Sequence, residues 1–485
     1  MGGTDRRKER ERSMVHTLVL GAGPTGLMTA MMLAVEGHRV TVLDRDPSPP
    51  KGGAEATWSG WKRPGVRQFP QPHLLLPGGY RLLAAEFPAA VERLVGLGGS
   101  RFNMISGAWD VGETGGPQPG DDRFETVAAR RPVLEAALLA EAERTPGITV
   151  RREAQVTGLL TGTARTAGRP HVTGVLIRGG EQVEADLVID ASGRHSQVAA
   201  MLAGIGATPH EERAEAGFRY YTRYFHSADG MTPRPTPSPI CHHNSVTIGT
   251  VPADSGTWSV TIATSSRDQE LRSLADIDAW HRAMKLYPTE AHWAEGEPIT
   301  GVTAMGGLES TYRRFVVDDL PVATGIVAVG DAWASINPVF GTGMTMGFRH
   351  AALLRDTLRM VGADDPVELA LRLDDATQKN LEPVWESITA WDRHRLAEID
   401  AEMRGEAYST DDNDWNVDVA LNIARSKDPA IVRGLVDVGG LLATPEEALV
   451  KPGLAQKAVE LAVGASRYPD PGPTRRELLA ALAND

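Results

Sequence analysis

The sequence predicts an α/β protein with a parallel β-sheet domain, an interleaved second sheet and a helical C-terminal region. Three observations favour this fold. The chain opens with an apolar strand, a glycine-rich turn and a helix; segments of alternating polarity lie near its middle; and helical patterns fill residues 351–485. At roughly 150 residues per domain, a chain of 485 residues has room for two or three such units.

Composition and charge narrow the class of protein. Apolar residues make up 41% and charged residues 23%, as in globular proteins, and a net charge of -13 argues against nucleic-acid or anionic-membrane partners. Cys241 is the sole cysteine, which excludes an intrachain disulfide and fits a reducing cytosol. Residues 1–14 lack the apolar core of a signal peptide, and no apolar run reaches the roughly 20 residues of a membrane span. We therefore expect a cytoplasmic protein with a disordered tail over residues 1–14, no membrane span and no metal site.

The opening strand and turn predict a dinucleotide site. His16–Leu20 is a short apolar run, typical of a buried parallel strand. Gly21, Gly23 and Gly26 follow in the pattern G-x-G-x-x-G, at the junction with a helix. The first glycine permits the tight turn, the second lets the backbone approach a pyrophosphate, and the third allows the helix to pack closely on the strand.

The elements after this turn complete a βαβ unit of the Rossmann type. We expect N–H groups at the helix start, around Pro24 and Thr25, to face the phosphates. A second strand over Arg39–Leu43 delivers Asp44 about 20 residues after the first glycine, where an acidic side chain accepts hydrogen bonds from an adenosine ribose. Arg45 beside it is assigned to the same site. The complete unit predicts nucleotide binding more specifically than the three glycines alone.

Two later segments extend this site. Residues 185–196, ADLVIDASGRHS, form an apolar strand that runs into Asp190, and residues 325–347 form a strand that ends in Gly330-Asp331 before a loop rich in proline and glycine. In this order the three motifs resemble the fingerprints of flavoprotein monooxygenases related to para-hydroxybenzoate hydroxylase. The resemblance implies a Rossmann-type FAD-binding domain, because an NAD-only dehydrogenase would not need the second and third motifs.

The resemblance also assigns residues to the flavin. Asp331 inherits contacts with the ribityl and pyrophosphate region, and the loop of Gly341, Thr342, Gly343 and Met344 is expected beside the isoalloxazine ring. A helix begins in this loop, and the positive end of a helix stabilises the negative charge that reduced flavin carries near N1.

Arg131 and Val156 match further parts of the family pattern. Arg131, at the start of a predicted helix, resembles the arginine that contacts the FAD phosphates, and a surface salt bridge is the alternative. Val156, in the predicted strand TVRREAQVTGLL, matches the position whose backbone meets the adenine.

The segment over residues 65–88 carries a closer resemblance. It is similar to the G-V-P-Q-x-x-H-x-H segment of bacterial flavin epoxidases, in which Gln68 and His73 match, Arg67 replaces the proline, and the first histidine is absent. Gln68 and His73 are therefore the candidate polar groups close to the flavin. A structural hydrogen-bonding role for His73 is the alternative.

The motifs divide the chain into interleaved parts. The predicted division is a tail over 1–14, an FAD-binding domain over 15–47, 126–200 and 308–350, a β-sheet substrate domain over 48–125 and 201–307, and a helical region over 351–485. Residues 245–251 and 257–264 alternate as antiparallel strands do, and Phe218–Phe225 starts a strand that faces either the core or a pocket. The alternating prolines of residues 233–239 indicate a surface loop.

Histidines and tryptophans supply further candidates. His242 and His243 are interpreted as loop histidines, since no acidic or cysteine partner lies at metal-ligand spacing. Trp58, Trp61 and Trp333 could line an apolar site, with Trp333 either near the cofactor or packed beneath the third motif.

The resemblance implies an FAD-dependent monooxygenase. In that chemistry NAD(P)H reduces the flavin, either directly or through a separate flavin reductase, and O₂ then adds at C4a. The flavin C4a-hydroperoxide passes one oxygen atom to a hydrophobic organic substrate by hydroxylation or epoxidation.

Three alternatives stay open. A flavin-dependent reductase or dehydrogenase of the geranylgeranyl-reductase type carries a similar D-A-S-G run. Flavin-dependent halogenases share much of the fold, but their G-W-x-W-x-I-P motif is not matched after Gly60, and no counterpart of their catalytic lysine is evident, with Lys51 and Lys62 still to be located. The third alternative is a non-enzymatic module that binds FAD or a partner.

Overall fold

A computed structural model describes residues 14–483, and the tail predicted over residues 1–14 lies outside them except for Met14. The strands are β1 (His16–Leu20), β2 (Arg39–Leu43), β3 (Ser100–Asn103), β4 (Glu125–Ala128), β5 (Ile148–Arg151), β6 (Val156–Thr166), β7 (Arg169–Ile177), β8 (Gln182–Glu184), β9 (Leu187–Asp190), β10 (His210–Glu215), β11 (Phe218–His226), β12 (Ile240–His242), β13 (Val246–Pro252), β14 (Thr257–Ser265), β15 (Glu297–Pro298), β16 (Thr303–Met305), β17 (Glu309–Arg314), β18 (Val316–Val317), β19 (Leu320–Pro321), β20 (Ile326–Ala328) and β21 (Ala334–Ser335).

The α-helices are the second class of regular element. They are α1 (Pro24–Val35), α2 (Ala54–Gly60), α3 (Pro77–Glu86), α4 (Pro88–Gly96), α5 (Arg131–Ala142), α6 (Val198–Gly204), α7 (Ile277–Met284), α8 (Gly343–Val361), α9 (Pro366–Asn380), α10 (Glu382–Met403), α11 (Asn413–Ala424), α12 (Pro429–Gly439), α13 (Leu454–Ala462) and α14 (Arg475–Ala483). Short 3₁₀ turns lie between them, including one over Pro338–Phe340.

A five-stranded parallel sheet contains the predicted βαβ unit, in the strand order β20-β9-β1-β2-β5. β1 and β2 pair from His16 opposite Arg39 to Leu20 opposite Leu43, so both strands end at the same edge. β1 is buried from Thr17 to Leu20, and β2 is buried at Val40, Val42 and Leu43, as in parallel strands that are covered on both faces. The predicted bounds of both strands are confirmed.

Helices α1, α5 and α8 pack on one face of this sheet, in a core that includes Leu27 and Phe348. Helices α3 and α4 join the same core through Leu83 and Val91. This part of the segment 48–125 therefore packs with the parallel sheet rather than with the second sheet.

The second sheet is antiparallel, in the order β12-β13-β14-β11-β15 with β16 beside β11. β13 and β14 confirm the two alternating strands predicted over residues 245–251 and 257–264. Tyr221, Ile248 and Ile262 point from one face into a core with α7. Because neighbouring side chains alternate between faces, a second set lines the opposite face. That set is Tyr220, Thr222, Thr247, Gly249, Val251, Thr261 and Ala263.

The helical region follows the sequence prediction, with one adjustment. Helix α8 runs from Gly343 to Val361, so the boundary proposed at residue 350 falls inside it. Helix α10 packs through Leu396 and Ile399 against Phe218 of the second sheet. Between residues 14 and 483, no helix combines the length and the apolar character needed to cross a membrane.

Candidate functional site

A cavity of about 960 Å³ connects the edge of the parallel sheet with the second sheet and the C-terminal helices. The predicted site residues that line it are Gly21, Gly23, Pro24, Thr25, Asp44, Arg45, Gln68, His73, Arg131, Val156, Asp331, Gly341, Thr342, Gly343 and Met344. Among the residues predicted to bind FAD or to act beside the flavin, Gly26 is the one that is not part of the lining. The fold therefore brings distant sequence motifs to one cavity.

The three glycines of the first motif have different structural roles. Gly21 adopts φ +103°, and a Cβ atom there would lie 2.6 Å from the Ala191 carbonyl oxygen. A Cβ at Gly26 would overlap the carbonyl oxygen of Gly21, so the first and third glycines are required by packing. A Cβ at Gly23 would meet no atom within 4 Å, because it would project into open space. The second glycine therefore leaves room where a pyrophosphate would approach the backbone.

The start of helix α1 has fewer N–H groups that can face a phosphate than we expected from the sequence. Helix α1 begins at Pro24 with Gly23 as its N-cap. Proline has no backbone N–H, so the donors that can face a phosphate belong to Thr25 and Gly26. Pro24 instead contributes its fixed φ angle to the first helical position.

Asp44 is buried and holds the turn around it. Its Oδ2 accepts hydrogen bonds from the Ala22 N–H at 2.6 Å and from Arg63 Nη2 at 2.6 Å, and its Oδ1 accepts one from the Asp46 N–H at 2.8 Å. The contact with an adenosine ribose stays a prediction. Arg45 is exposed at the cavity rim, where Nη2 donates to the Gly65 carbonyl at 3.1 Å.

Arg63 is a site residue that the sequence reasoning missed. Its guanidinium donates to Asp44, to Asp46 Oδ2 at 3.2 Å and to Glu135, and its side chain is only 4% exposed. Burial opposes its charge, but these three carboxylates outweigh that effect and raise the pKa of Arg63. Two carboxylates from the segment after β2 and one from α5 therefore share one buried cation. An arginine in a Lys-Arg-Pro run carried no signal of this role.

Arg131 and His73 form a pair at the cavity wall. Arg131 starts α5, donates from Nε to Glu135 Oε1 at 2.6 Å, and donates from Nη1 to His73 Nε2 at 2.8 Å. His73 Nδ1–H donates to the Gln71 carbonyl at 2.9 Å. Burial and the neighbouring Arg131 lower the pKa of His73 to about 3, so its ring is neutral. These contacts support the structural role for His73, and they favour a cofactor-facing Arg131 over a surface salt bridge.

Val156 lines the cavity, as Asp44 does, and its contact with an adenine stays a prediction. The predicted strand TVRREAQVTGLL is two strands, and Val156 is the first residue of β6. The turn between them is joined to the Rossmann unit by a hydrogen bond from the Ala154 N–H to the Asp44 carbonyl at 2.8 Å. The chain direction changes here because Glu153 takes a left-handed conformation, with φ 58°.

The loop Gly341–Met344, which we call the flavin loop, leads from the third motif into α8. Gly341 adopts φ +68°, and Gly343 is the first residue of the helix. Thr342 Oγ1 is buried, and residues 14–483 provide no hydrogen-bond partner for it. Helix N–H groups and an unpartnered hydroxyl therefore border the cavity at this loop, as a polar ring edge would require.

Hydrogen bonds within the second motif, and one from it to the third, hold the two segments together. Asp190 is buried and accepts hydrogen bonds from the Ser192 and Ser196 hydroxyl groups, each at 2.5 Å. Burial raises the pKa of Asp190. Arg194 donates to the Ile336 carbonyl at 2.6 Å and so connects this motif to the segment before the flavin loop.

The tryptophan and histidine predictions need correction. Trp333 lies outside the cavity and packs beneath the third motif, with its ring centroid 5.2 Å from that of His350. His242 is not a loop histidine, because it ends β12 and lines the cavity. His243 does lie in the loop after β12, where it is 1% exposed. Within the described residues, no group of His, Cys, Asp and Glu side chains is arranged to hold a metal ion.

Other residues line the cavity in place of the predicted tryptophans. Trp58 packs against Tyr224, and Trp61 donates from Nε1 to the Pro47 carbonyl at 3.0 Å. Trp391 and Trp415 of the C-terminal helices line the cavity instead. Part of the predicted surface loop also reaches it, through residues 237–239.

The lysines that the sequence left unplaced do not reach the site. Lys51 and Lys62 are exposed, and neither lines the cavity. Lys379 of α9 does line it.

Known proteins resemble this chain in sequence. Residues 16–106 match the family model described as FAD dependent oxidoreductase. The chain is 28% identical over 396 residues to Protein Rv3254 of Mycobacterium tuberculosis, which covers 76% of this chain and 78% of that protein. It is 21% identical over 390 residues to FAD-dependent monooxygenase ntnJ of a Nectria species, with 75% and 80% of the two chains covered.

Solved structures share the fold. PqsL, a probable FAD-dependent monooxygenase of Pseudomonas aeruginosa, superposes with a TM-score of 0.57 at 17% identity, over 81% of this chain and 98% of that chain. The flavin-dependent brominase Bmp2 gives a TM-score of 0.58 at 14% identity, over 92% of this chain and 98% of that chain. The open space at Gly23 and the donors of the flavin loop fit FAD on their own geometry. The chain is thus an FAD-dependent oxidoreductase that is similar to FAD-dependent monooxygenases in sequence and in fold.

Proposed function

We propose that this enzyme inserts one oxygen atom from O₂ into a hydrophobic organic substrate, by hydroxylation or epoxidation. The observation that carries the proposal is the continuity of the cavity, which runs from the glycine turn past the flavin loop to a chamber of mainly apolar side chains. A single void can therefore hold the cofactor and a substrate next to each other, as oxygen transfer requires.

The chamber lies between the second sheet and helix α10. Thr222, Thr261 and Ala263 contribute the sheet face, and Ile388 and Trp391 contribute the helix. Such a surface excludes water and favours apolar molecules, which protects a reactive oxygen species from side reactions. Size and polarity therefore select the substrate more than any single charged group near the flavin loop.

Bound FAD supplies the redox chemistry of this proposal. In the balanced reaction, NAD(P)H, a proton, O₂ and the substrate give NAD(P)⁺, water and the oxygenated product. The N-terminus of α8, at Gly343, stabilises negative charge beside the flavin loop. Arg131 supplies positive charge for the phosphates, and Asp331 lines the cavity where the ribityl chain would lie.

The electron source and the location complete the proposal. We propose NAD(P)H as the reductant, acting directly or through a separate flavin reductase, in the cytoplasm. The proposal takes support from the single buried thiol, Cys241, which suits a reducing compartment.

Oxygen labelling tests the activity. Purified FAD-loaded protein is incubated with NAD(P)H, with and without a flavin reductase, under ¹⁸O₂ across a panel of hydrophobic compounds. We expect a substrate that stimulates NAD(P)H oxidation and gains one ¹⁸O atom per turnover. A product that lacks the label, or turnover that continues without O₂, would contradict the proposal and favour the reductase alternative.

The same assay distinguishes oxygenation from halogenation. Lys379 lines the cavity, and the brominase Bmp2 shares the fold, so bromide is added to a parallel set of reactions. Oxygenation is expected to be independent of bromide and to survive Lys379→Met. A brominated product that disappears in this variant would favour a halogenase instead.

A further inference from the structure

The cavity continues beyond the flavin loop along a wall of aromatic rings. The Phe340 ring centroid lies 4.7 Å from that of Trp391, and the Trp391 centroid lies 6.5 Å from that of Trp415. The guanidinium carbon of Arg467 then lies 5.7 Å from the Trp415 ring centroid. This wall leads from the flavin loop to an arginine that also lines the cavity.

Three side chains in this part of the cavity lining form what we call the donor cluster: Asn422, Arg425 and Arg467. Each has one buried nitrogen for which no acceptor is present among residues 14–483, namely Nδ2 of the asparagine, Nε of Arg425 and Nη1 of Arg467. Buried donors without an acceptor are unfavourable and uncommon. Three of them beside one cavity indicate that an acceptor arrives with a ligand.

Carboxylates outside the cavity lining orient the two arginines. Glu398 accepts from Arg467 Nε at 2.6 Å and from Nη2 at 3.0 Å, and Asp470 pairs with Nη2 of Arg425. The Arg425 side chain is 9% exposed. Each guanidinium is therefore held by a partner that leaves one of its nitrogens unused.

The charges around the donor cluster suit an anionic acceptor. Burial, together with Arg395, Arg467 and Arg425, holds the pKa of His242 well below its usual range, so three cationic groups act on this one ring. Asp418 also lines the cavity, and burial and nearby carboxylates raise its pKa to about 6, so this carboxyl group is mostly charged at neutral pH and loses its charge as the pH falls below 6.

We propose that the donor cluster binds a carboxylate at one end of the substrate, and that the apolar body of the substrate lies along Trp391 toward the flavin loop. A carboxylate has lone pairs for all three donors, whereas a neutral carbonyl oxygen has two. This inference rests on the proposed function, which it deepens by naming the substrate class: hydrophobic organic acids.

Binding of matched acids and amides tests the proposal without turnover. Isothermal titration of the FAD-loaded protein, with no NAD(P)H present, compares 2-naphthoate with 2-naphthamide and 4-biphenylcarboxylate with its amide. Each acid is expected to bind about tenfold or more tightly than its amide, because charge-assisted hydrogen bonds are the stronger ones. Failure of oxygen transfer would not affect this measurement, so the two proposals fail separately.

Two variants and a control test whether the preference for the acid over the amide depends on the donor cluster. Asn422→Leu removes one donor with little change in volume, and Arg467→Met leaves Glu398 its pair with Arg395. Both are expected to reduce the preference for the acid to threefold or less, roughly, while the amide binds as before. Arg93→Met is the matched control, since Arg93 also has one carboxylate partner and one unpaired nitrogen but lies outside the cavity lining.

Three results would overturn the proposal. They are equal binding of acid and amide by the wild-type protein, no uptake of either acid, and a preference that survives in both variants. Arg425→Met does not test the proposal, because it would leave Asp470 without its ion pair and so destabilise this region. Near-ultraviolet circular dichroism and flavin absorbance verify that each variant is folded and loaded.

Discussion

Asn337 donates a hydrogen bond from Nδ2 to Asp392 Oδ1, at 2.6 Å. The same asparagine accepts from the Tyr220 hydroxyl and from the Val339 N–H through its Oδ1. One side chain therefore joins the second sheet, helix α10 and the turn that precedes the flavin loop. Asp392 Oδ2 is buried and has no partner among the described residues, and burial raises the pKa of Asp392 to about 7.

This relationship predicts a stability that falls as the pH rises. An aspartate in the unfolded chain has a pKa of about 3.9, so the folded protein binds the Asp392 proton more tightly. The resulting stabilisation is complete below about pH 4 and is lost as the pH rises through about 7. Asp392→Asn should remove this loss. The free energy of unfolding of the variant, relative to that of the wild type, should therefore be higher at pH 8 than at pH 5. Urea unfolding at both pH values measures the difference. Asp364→Asn, at an exposed position, is the control, and parallel curves for all three proteins would contradict the prediction.

Substitutions at two glycines of the first motif should have different effects. Gly23→Val should leave the thermal stability of the flavin-free protein nearly unchanged, because its Cβ enters open space, but should abolish flavin retention. Gly26→Ala should destabilise the protein by roughly 1–3 kcal/mol, because its Cβ overlaps the Gly21 carbonyl. Thermal melts and the visible absorbance of bound flavin distinguish the two effects. Retention of stoichiometric FAD by Gly23→Val would refute the proposed pyrophosphate site.

The buried cation Arg63 should contribute more to the free energy of unfolding than an exposed arginine does. Arg63→Met leaves three buried carboxylates without their shared partner and should cost about 3–5 kcal/mol of unfolding free energy. Arg151→Met, which breaks an exposed pair with Glu181, should cost about 1 kcal/mol or less. Chemical denaturation of both variants gives the comparison. Similar losses would show that the network around Arg63 does not stabilise the fold.

His73 should affect FAD binding through its hydrogen bond with Arg131 and not through a change in its own protonation. Arg131→Met should weaken FAD binding about tenfold or more, and His73→Phe should weaken it less, because only an acceptor for Arg131 is lost. The double variant should resemble Arg131→Met alone. Since the pKa of His73 is about 3, FAD affinity between pH 5 and pH 8 should vary alike in the wild-type and His73→Phe proteins. Additive losses, or a pH step confined to the wild type, would contradict this role.

The substrate chamber can be filled without disturbing the flavin site. Gly249 lies on the cavity face of β13, and a Cβ there would approach only Thr261 Cβ, at 4.0 Å. Gly249→Phe should retain FAD but lose most substrate-stimulated NAD(P)H oxidation. Gly96→Phe, at an exposed position outside the cavity lining, is the matched control. Unchanged stimulation in Gly249→Phe would place the substrate elsewhere.

Local signals explain what the sequence could predict. The bounds of β1 and β2 followed from apolar runs and turn residues, and the flavin loop from the resemblance of residues 325–347 to a family motif. Arg63, His242 and Trp391 could not be found in this way, because tertiary packing alone brings them to the cavity. The polar–apolar pattern of α10 indicated a helix, but it contained no information about which sheet face that helix would cover.

The helix that starts at the flavin loop has a practical consequence. Because α8 continues without a break to Val361, its first turn and its last belong to one rigid rod. A chimera spliced at residue 350 would cut this rod and displace the loop at its start. Gly362, at φ 79°, ends the helix and is the better junction for grafting a relative's C-terminal helices onto this protein.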